Sequence, residues 1–234
     1  GAGAMTFEEL RDKALSLPLL PGVYIMMDAT GDVIYVGKAK ALKNRVSSYF
    51  HGDHPPKVAA MVAKIHDFDV IVANSEFEAL VLENSLIKHH MPKYNILLKD
   101  DKGYPFLRID LREEYPVFSI VNKVAGDGAK YLGPYGGRNV TRQMLDSVLK
   151  VFRLPTCSRK FPRDIGKARP CLNYHMGTCD AYCRPEASRQ AYREGIEQAV
   201  KVFEGKAEEI IARLTEEMLE ASENLQFERA AERR

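Results

Sequence analysis

Two tyrosines stand in mirrored settings, Gly22-Val23-Tyr24 and Tyr35-Val36-Gly37. Arg45 and Tyr49 lie four residues apart, so a helix would project them from one face. Glu83 belongs to a later segment, spaced by three and four residues from Leu80 and Ile87. A carboxylate on so apolar a face is costly unless an ion or a set of donors satisfies it. Phenols, a guanidinium and a carboxylate are groups that phosphodiester hydrolysis can use. A divalent cation held by Glu83 and waters would neutralise the scissile phosphate and the leaving oxygen. Arg45 would stabilise charge building on the phosphoryl oxygens. A tyrosine hydroxyl would orient or deprotonate the attacking water, and with an ordinary pKa of about 10 it must be perturbed to act as a base. Lys38 would help bind phosphate and lower a tyrosine pKa. Plainer readings stand beside these: strand packing for the tyrosines, a solvated helix face for Lys38, Lys43 and Arg45, a helix edge or buried salt bridge for Glu83, and a turn cap for Asn95.

The elements that must position these groups follow from local pattern. Residues 18–27 read as a turn and a strand, 28–32 as a hairpin-type turn and 33–36 as a second strand broken by Gly37. Residues 38–50 suit a helix carrying Lys38, Lys40, Lys43 and Arg45; 57–65 suggest a short helix and 67–73 a strand. Ser75 and Glu78 form a capping box for a helix over 76–90, which Pro92 stops. Beyond this α+β unit, 104–109 and 117–121 read as edge or short strands beside Pro105 and Pro116. Five glycines make 126–137 turn-rich, and residues 141–154 have helical apolar spacing. From Glu186 the chain is rich in helix formers, with one stripe at Ile196, Ala199, Val200 and Phe203 and another at Ile210, Ile211, Leu214 and Met218. The expected organisation is a tag remnant at 1–4, an α+β catalytic unit at 5–98 with a short antiparallel sheet flanked by helices, an α/β extension at 99–155, a Cys-rich region at 156–185 and a truncated helical hairpin at 186–234.

Composition narrows the classes. In 234 residues, a hydrophobic fraction of 45% excludes wholesale disorder, and no apolar run is long enough to span a membrane. The net charge of +2 is unevenly placed: 8 basic and 12 acidic residues from Glu186 onward give −4, leaving +6 on the preceding 185. The first portion therefore leans toward a polyanion. No signal peptide is evident, and a cytoplasmic location is expected. All 4 cysteines fall at Cys157, Cys171, Cys179 and Cys183, with 13, 7 and 3 residues between them. Four clustered thiolates can hold Zn²⁺ or an iron–sulfur cluster, and spacing does not choose between them; two disulfides fit an intracellular chain less well. Arg159, Lys160 and Arg163 stand in a basic rim, either a solvated loop or a contact zone for a phosphate backbone.

The ordered series from Pro21 to Phe50, 75–105 and Tyr131–Gly137 resembles the GIY-YIG nuclease superfamily, and within it the UvrC family of nucleotide excision repair endonuclease subunits. Val23 and Val36 stand where the superfamily name has isoleucine. The resemblance implies that Tyr35 activates the water and that Tyr24 shapes the site. It places Lys38, Arg45 and Tyr49 around the scissile phosphate, Glu83 as the ligand of Mg²⁺ or Mn²⁺, and Asn95 in support. It implies a [4Fe–4S] cluster on the four cysteines. Residues 196–234 resemble the UVR motif by which UvrC and UvrB associate, which makes Phe203, Ile210, Leu214, Leu219 and Phe227 candidate partner contacts. The implied activity is cleavage of damaged double-stranded DNA on the 3′ side of a bulky lesion, with the 5′ cut left to a C-terminal half outside this sequence. The alternative is a non-enzymatic module that binds DNA and docks on UvrB.

Overall fold

The computed structural model describes residues 5–100, 103–206, 212 and 216. The expected α+β class is borne out. Helix α1 (Phe7–Leu15) opens the chain, with the Thr6 hydroxyl accepting from the Glu9 amide at 3.1 Å. Strands β1 (Gly22–Met27), β2 (Val33–Ala39) and β3 (Asp67–Val72) form an antiparallel sheet in the order β2-β1-β3. The β1–β2 turn is tied by Asp28, whose carboxylate accepts from the Thr30 and Asp32 amides, while Gly31 adopts a φ of +85°. Helices α2 (Leu42–Ser48) and α3 (Pro56–Lys64) join α1 on one face, around Leu10, Met26, Leu42, Val46, Met61 and Phe68. Burying each such side chain contributes about 1.5–3 kcal/mol.

Helix α4 (Glu76–His90) starts at Ser75, whose hydroxyl accepts from the Glu78 amide at 3.1 Å, while the Glu78 carboxylate accepts from the Asn74 amide, one residue before the Ser75 amide of a capping box. One side of it packs through Ala79 and Leu82 on Val23 and Val36 of the sheet. Its other side sends Leu80 and Val81 into a second core. Helix α5 (Lys93–Asp100) then lies along β2.

The second core belongs to β4 (Phe106–Ile109), β5 (Ser119–Val121) and β6 (Lys130–Leu132), ordered β5-β4-β6, and to α6 (Arg138–Val151) and α8 (Arg189–Phe203). The Cys-rich segment between these helices carries the four-residue α7 (Leu172–His175). Among the described residues no helix is long and apolar enough to cross a membrane.

Several expectations change. Strand β2 continues through Gly37 to Ala39, so Lys38 lies on a strand and the helix begins at Leu42. Gly37 does not break the strand; it faces Tyr24 across the ladder, where a Cβ would strike the Tyr24 ring and hydroxyl. Strands β4 and β5 are short, as expected, but β4 is central rather than an edge, with Pro105 just outside it, and β6 crosses the turn-rich region. Phe203 is not a free docking residue: it is 4% exposed and packs on Phe118 and Tyr135. Helix α8 thus belongs to the second core. Ile210, Leu214, Leu219 and Phe227 lie outside the described residues.

Candidate active site

Ladder register brings the two tyrosines together. Tyr24 pairs with Gly37 and Met26 with Tyr35, so the tyrosines are diagonal neighbours on one face of the sheet. Their ring centroids are 6.1 Å apart. Tyr49, at the C-terminal end of α2, completes a triangle, 5.7 Å from the Tyr24 ring and 6.5 Å from that of Tyr35. The Tyr24 and Tyr49 hydroxyls share a 2.7 Å hydrogen bond. One turn earlier on α2, the Arg45 guanidinium lies 4.9 Å from the Tyr49 ring centre. Tyr24 and Tyr49 are buried, Tyr35 is half-buried and Arg45 is exposed, so the group opens to solvent at its cationic end.

The electrostatics are coupled. Burial raises the pKa of Tyr35, and the adjacent Tyr49 and the Glu83 carboxylate raise it further, against an opposing Arg45. Burial likewise holds Tyr24 well above its ordinary value. For Arg45 burial disfavours the charged form, but the oxygens of Tyr24 and Tyr49 outweigh it and its pKa rises. Tyr35 is therefore a phenol at neutral pH in the free protein, and it becomes a base only where further positive charge is supplied.

Glu83 is half-buried on α4, and its charge is felt at Tyr35, so α4, β2 and α2 each contribute a charged or phenolic group to the electrostatics of this region. Hard carboxylate oxygens suit a magnesium-like ion that keeps several waters. Asn95 is 4% exposed and grips β2 from α5. Its Oδ1 accepts from the Val36 amide and its Nδ2 donates to the Val36 carbonyl, both at 2.8 Å. Because β2 is an edge strand, Asn95 stands in for a missing neighbour and fixes the backbone beside Tyr35. Lys38 is half-buried on the other side of the pleat from Tyr35. Lys38, Lys40, Lys43 and Arg45 give residues 33–52 four cations and no acidic residue. His54 was not foreseen: its Nε2 lies 3.0 Å from the Tyr49 carbonyl. Its partner is a backbone carbonyl, which residue type and spacing do not signal.

The four cysteines line one cavity of about 20 Å³, with Phe161, Tyr174 and Tyr182 in its wall. All four are free thiols; Cys157 and Cys171 are exposed, Cys179 and Cys183 buried. Burial raises the pKa of Cys179. As they stand, no three His, Cys, Asp or Glu side chains among the described residues form a group that could grip an ion. Of the basic rim, Arg159 turns inward to Cys183 Sγ at 3.0 Å and Arg163 pairs with Asp164 at 3.1 Å, while Lys160 is exposed.

The strand-paired tyrosine couple, its third tyrosine and the arginine lie in the segment that belongs to the class of GIY-YIG endonucleases. The family model described as UvrC-like GIY-YIG domain matches residues 20–96, that of the UvrC/Cho excinuclease middle domain 104–202, and that of the UvrB/uvrC motif 208–234. The chain belongs to the UvrC family. UvrABC system protein C of Acetivibrio thermocellus is 48% identical over 225 residues, covering 95% of this chain and 36% of that protein. Its counterpart in Ruminiclostridium cellulolyticum is 50% identical over 228 residues, covering 97% and 37%. This chain therefore spans about a third of the length of these relatives. A crystal structure of the GIY-YIG N-terminal endonuclease domain of UvrC from Thermotoga maritima, bound to magnesium as its catalytic divalent cation, is 43% identical, covers 39% of this chain and 99% of that one, and has a TM-score of 0.36.

Proposed function

We propose that this chain is the 3′-incising part of an excision-repair endonuclease, acting on damaged double-stranded DNA together with UvrB. The reading is supported by the packing of Tyr24, Tyr35 and Tyr49 with Arg45 at the solvent-facing edge, and by the Glu83 charge felt at Tyr35. Arg45 binds a phosphoryl oxygen and stabilises the charge that grows on it. The Tyr35 hydroxyl orients the attacking water and takes its proton. Tyr24 and Tyr49 hold Tyr35 and Arg45 in register, and Asn95 fixes the strand beneath them. Glu83 is the residue to hold Mg²⁺ or Mn²⁺, which when bound neutralises the phosphate and favours the tyrosinate form. Lys38, Lys40 and Lys43 extend the cationic surface for the DNA backbone.

The four cysteines are proposed as one ligand set, for a [4Fe–4S] cluster or for Zn²⁺. Four thiols around one centre suit either group. About 20 Å³ lies open between the cysteines, and their side chains and loops must rearrange to grip either group. Iron, sulfide and zinc analysis of anaerobically purified protein decides between them. Lys160 remains a candidate backbone contact, and the apolar residues Ile210, Leu214, Leu219 and Phe227 remain candidate contacts for UvrB.

The test is incision of a duplex carrying one bulky adduct, with UvrB present and with or without Mg²⁺. A metal-dependent nick 3′ to the adduct is expected. DNA and UvrB binding with no nick under any divalent ion would leave the non-enzymatic docking module as the better account.

A further inference from the structure

The seven-residue α2 carries both Arg45 and, at its C-cap, Tyr49. So short a helix is marginal by itself, and its terminal carbonyls need partners. His54 supplies one. A carbonyl oxygen only accepts, so Nε2, at 3.0 Å from the Tyr49 carbonyl, carries the proton and donates it. The His54 ring also sits 6.4 Å, centre to centre, from the Tyr49 ring. The intervening loop is built to bring it there. Gly52 takes a φ of +64°, which turns the chain back after α2, and a Cβ at Gly52 would meet nothing within 4 Å, so conformation alone selects glycine. Pro55 and Pro56 follow His54 and lead directly into α3, which restricts His54 to extended backbone.

We propose that His54 is a positioning residue for the nuclease site. It caps the end of α2 and so fixes the Tyr49 ring between the Tyr24 hydroxyl and the Arg45 guanidinium. The proposal rests on the nuclease reading for its effect on rate, but its structural core does not. His54 acts on Tyr49 and through it on Arg45. Removal should therefore misplace the phosphate-binding cation without removing any charge from the DNA-contacting surface.

Three variants test this. In single-turnover nicking with Mg²⁺, H54A should lower the rate constant by on the order of 10- to 100-fold, the usual penalty for a small misplacement near the chemistry. Affinity for the duplex, read by fluorescence anisotropy, should stay unchanged. H54Q, whose side-chain amide can donate to the same carbonyl, should recover most of the rate, and G52A should fall between the two. In spectra of protein with ring-labelled tyrosine, assigned with Y49F, the Tyr49 signal should move in H54A and return in H54Q, while Tyr182 and Tyr192 stay fixed. An unchanged Tyr49 signal, no rescue by H54Q, or affinity falling in step with rate would each overturn the proposal. If the wild-type chain nicks nothing, the nuclease reading fails, and the Tyr49 signals alone judge His54.

Discussion

The two sheets of this chain share a plan. Each has three antiparallel strands, and in each the first strand in sequence runs down the centre, β1 in one and β4 in the other. What lies against them differs. In the second unit two tyrosines end in backbone: the half-buried Tyr135 hydroxyl donates to the Phe203 carbonyl at 2.6 Å, and that of the buried Tyr192 to the Pro116 carbonyl at 2.5 Å. Each hydroxyl there spends its proton on a fixed acceptor and locks a helix to a strand or loop. In the first unit Tyr24 and Tyr49 bond to one another, beside Tyr35, with Arg45 exposed at the edge and the Glu83 charge felt at Tyr35. Mutually bonded hydroxyls keep spare acceptor capacity next to a cation, which a reactive group needs. The residue type is the same in both units, and the identity of the partner separates the structural tyrosines from those proposed for catalysis.

The sharpest way to break this comparison is through the carboxylate. E83Q keeps size and shape but removes the charge, and nicking should fall by about 10²–10³-fold with circular dichroism unchanged. Undiminished nicking would remove Glu83 from the site. Y35F should cost about 10²–10⁴-fold in rate with little change in DNA affinity. Phenylalanine at Tyr135, in the second unit, should leave rate alone and lower only the melting temperature. Smaller effects come from packing. G37A drives a methyl into the Tyr24 ring and hydroxyl, and overpacking of this kind costs about 1–3 kcal/mol. Nothing lies within 4 Å of a Cβ at Gly126, so G126A should be close to neutral in chemical denaturation. N95A strips partners from both the amide and the carbonyl of Val36, about 1–3 kcal/mol for each group left buried and unpaired. N84A loses one bond, to the Val202 carbonyl, and should cost about 1 kcal/mol.

The sequence was most legible where side chains signal to the backbone. Ser75 and Glu78 announced α4, yet Thr6 and Glu9 carry the same signal and α1 went unread, because only Leu10 and Ala14 of its nine residues are buried. The apolar period failed on α4 for the opposite reason. With the first sheet on one side and the second core on the other, Ala79, Leu80, Val81 and Leu82 are all buried, and no single face exists. Gly37 was misread because its role is long-range: it makes room for a ring on the neighbouring strand. The tyrosine pair, Arg45 and Glu83 were accessible through the ordered motif. His54 was not, since its partner is a backbone carbonyl and nothing in residue type or spacing encodes that choice.

The smallest effect expected near neutrality grows at alkaline pH, and it tests both units at once. Burial raises the pKa of Tyr24, Tyr35, Tyr135 and Tyr192 above the ordinary tyrosine value. A group whose folded pKa exceeds its unfolded one gives stability that is complete below the unfolded value and lost as pH rises above it. Stability should therefore be flat up to about pH 10 and decline beyond it. Phenolate absorbance should show these four phenols ionising only as the chain unfolds. Y192F removes one buried phenol and should move that alkaline transition upward. The two units separate when Mg²⁺ is added. A cation held by Glu83 would favour ionisation of Tyr35 and leave Tyr135 and Tyr192 untouched, so one phenolate should appear at lower pH in the wild type and not in E83Q or Y35F. If Mg²⁺ shifts no tyrosine, or shifts one that survives Y35F, then the first unit's tyrosines differ from the second's in packing alone.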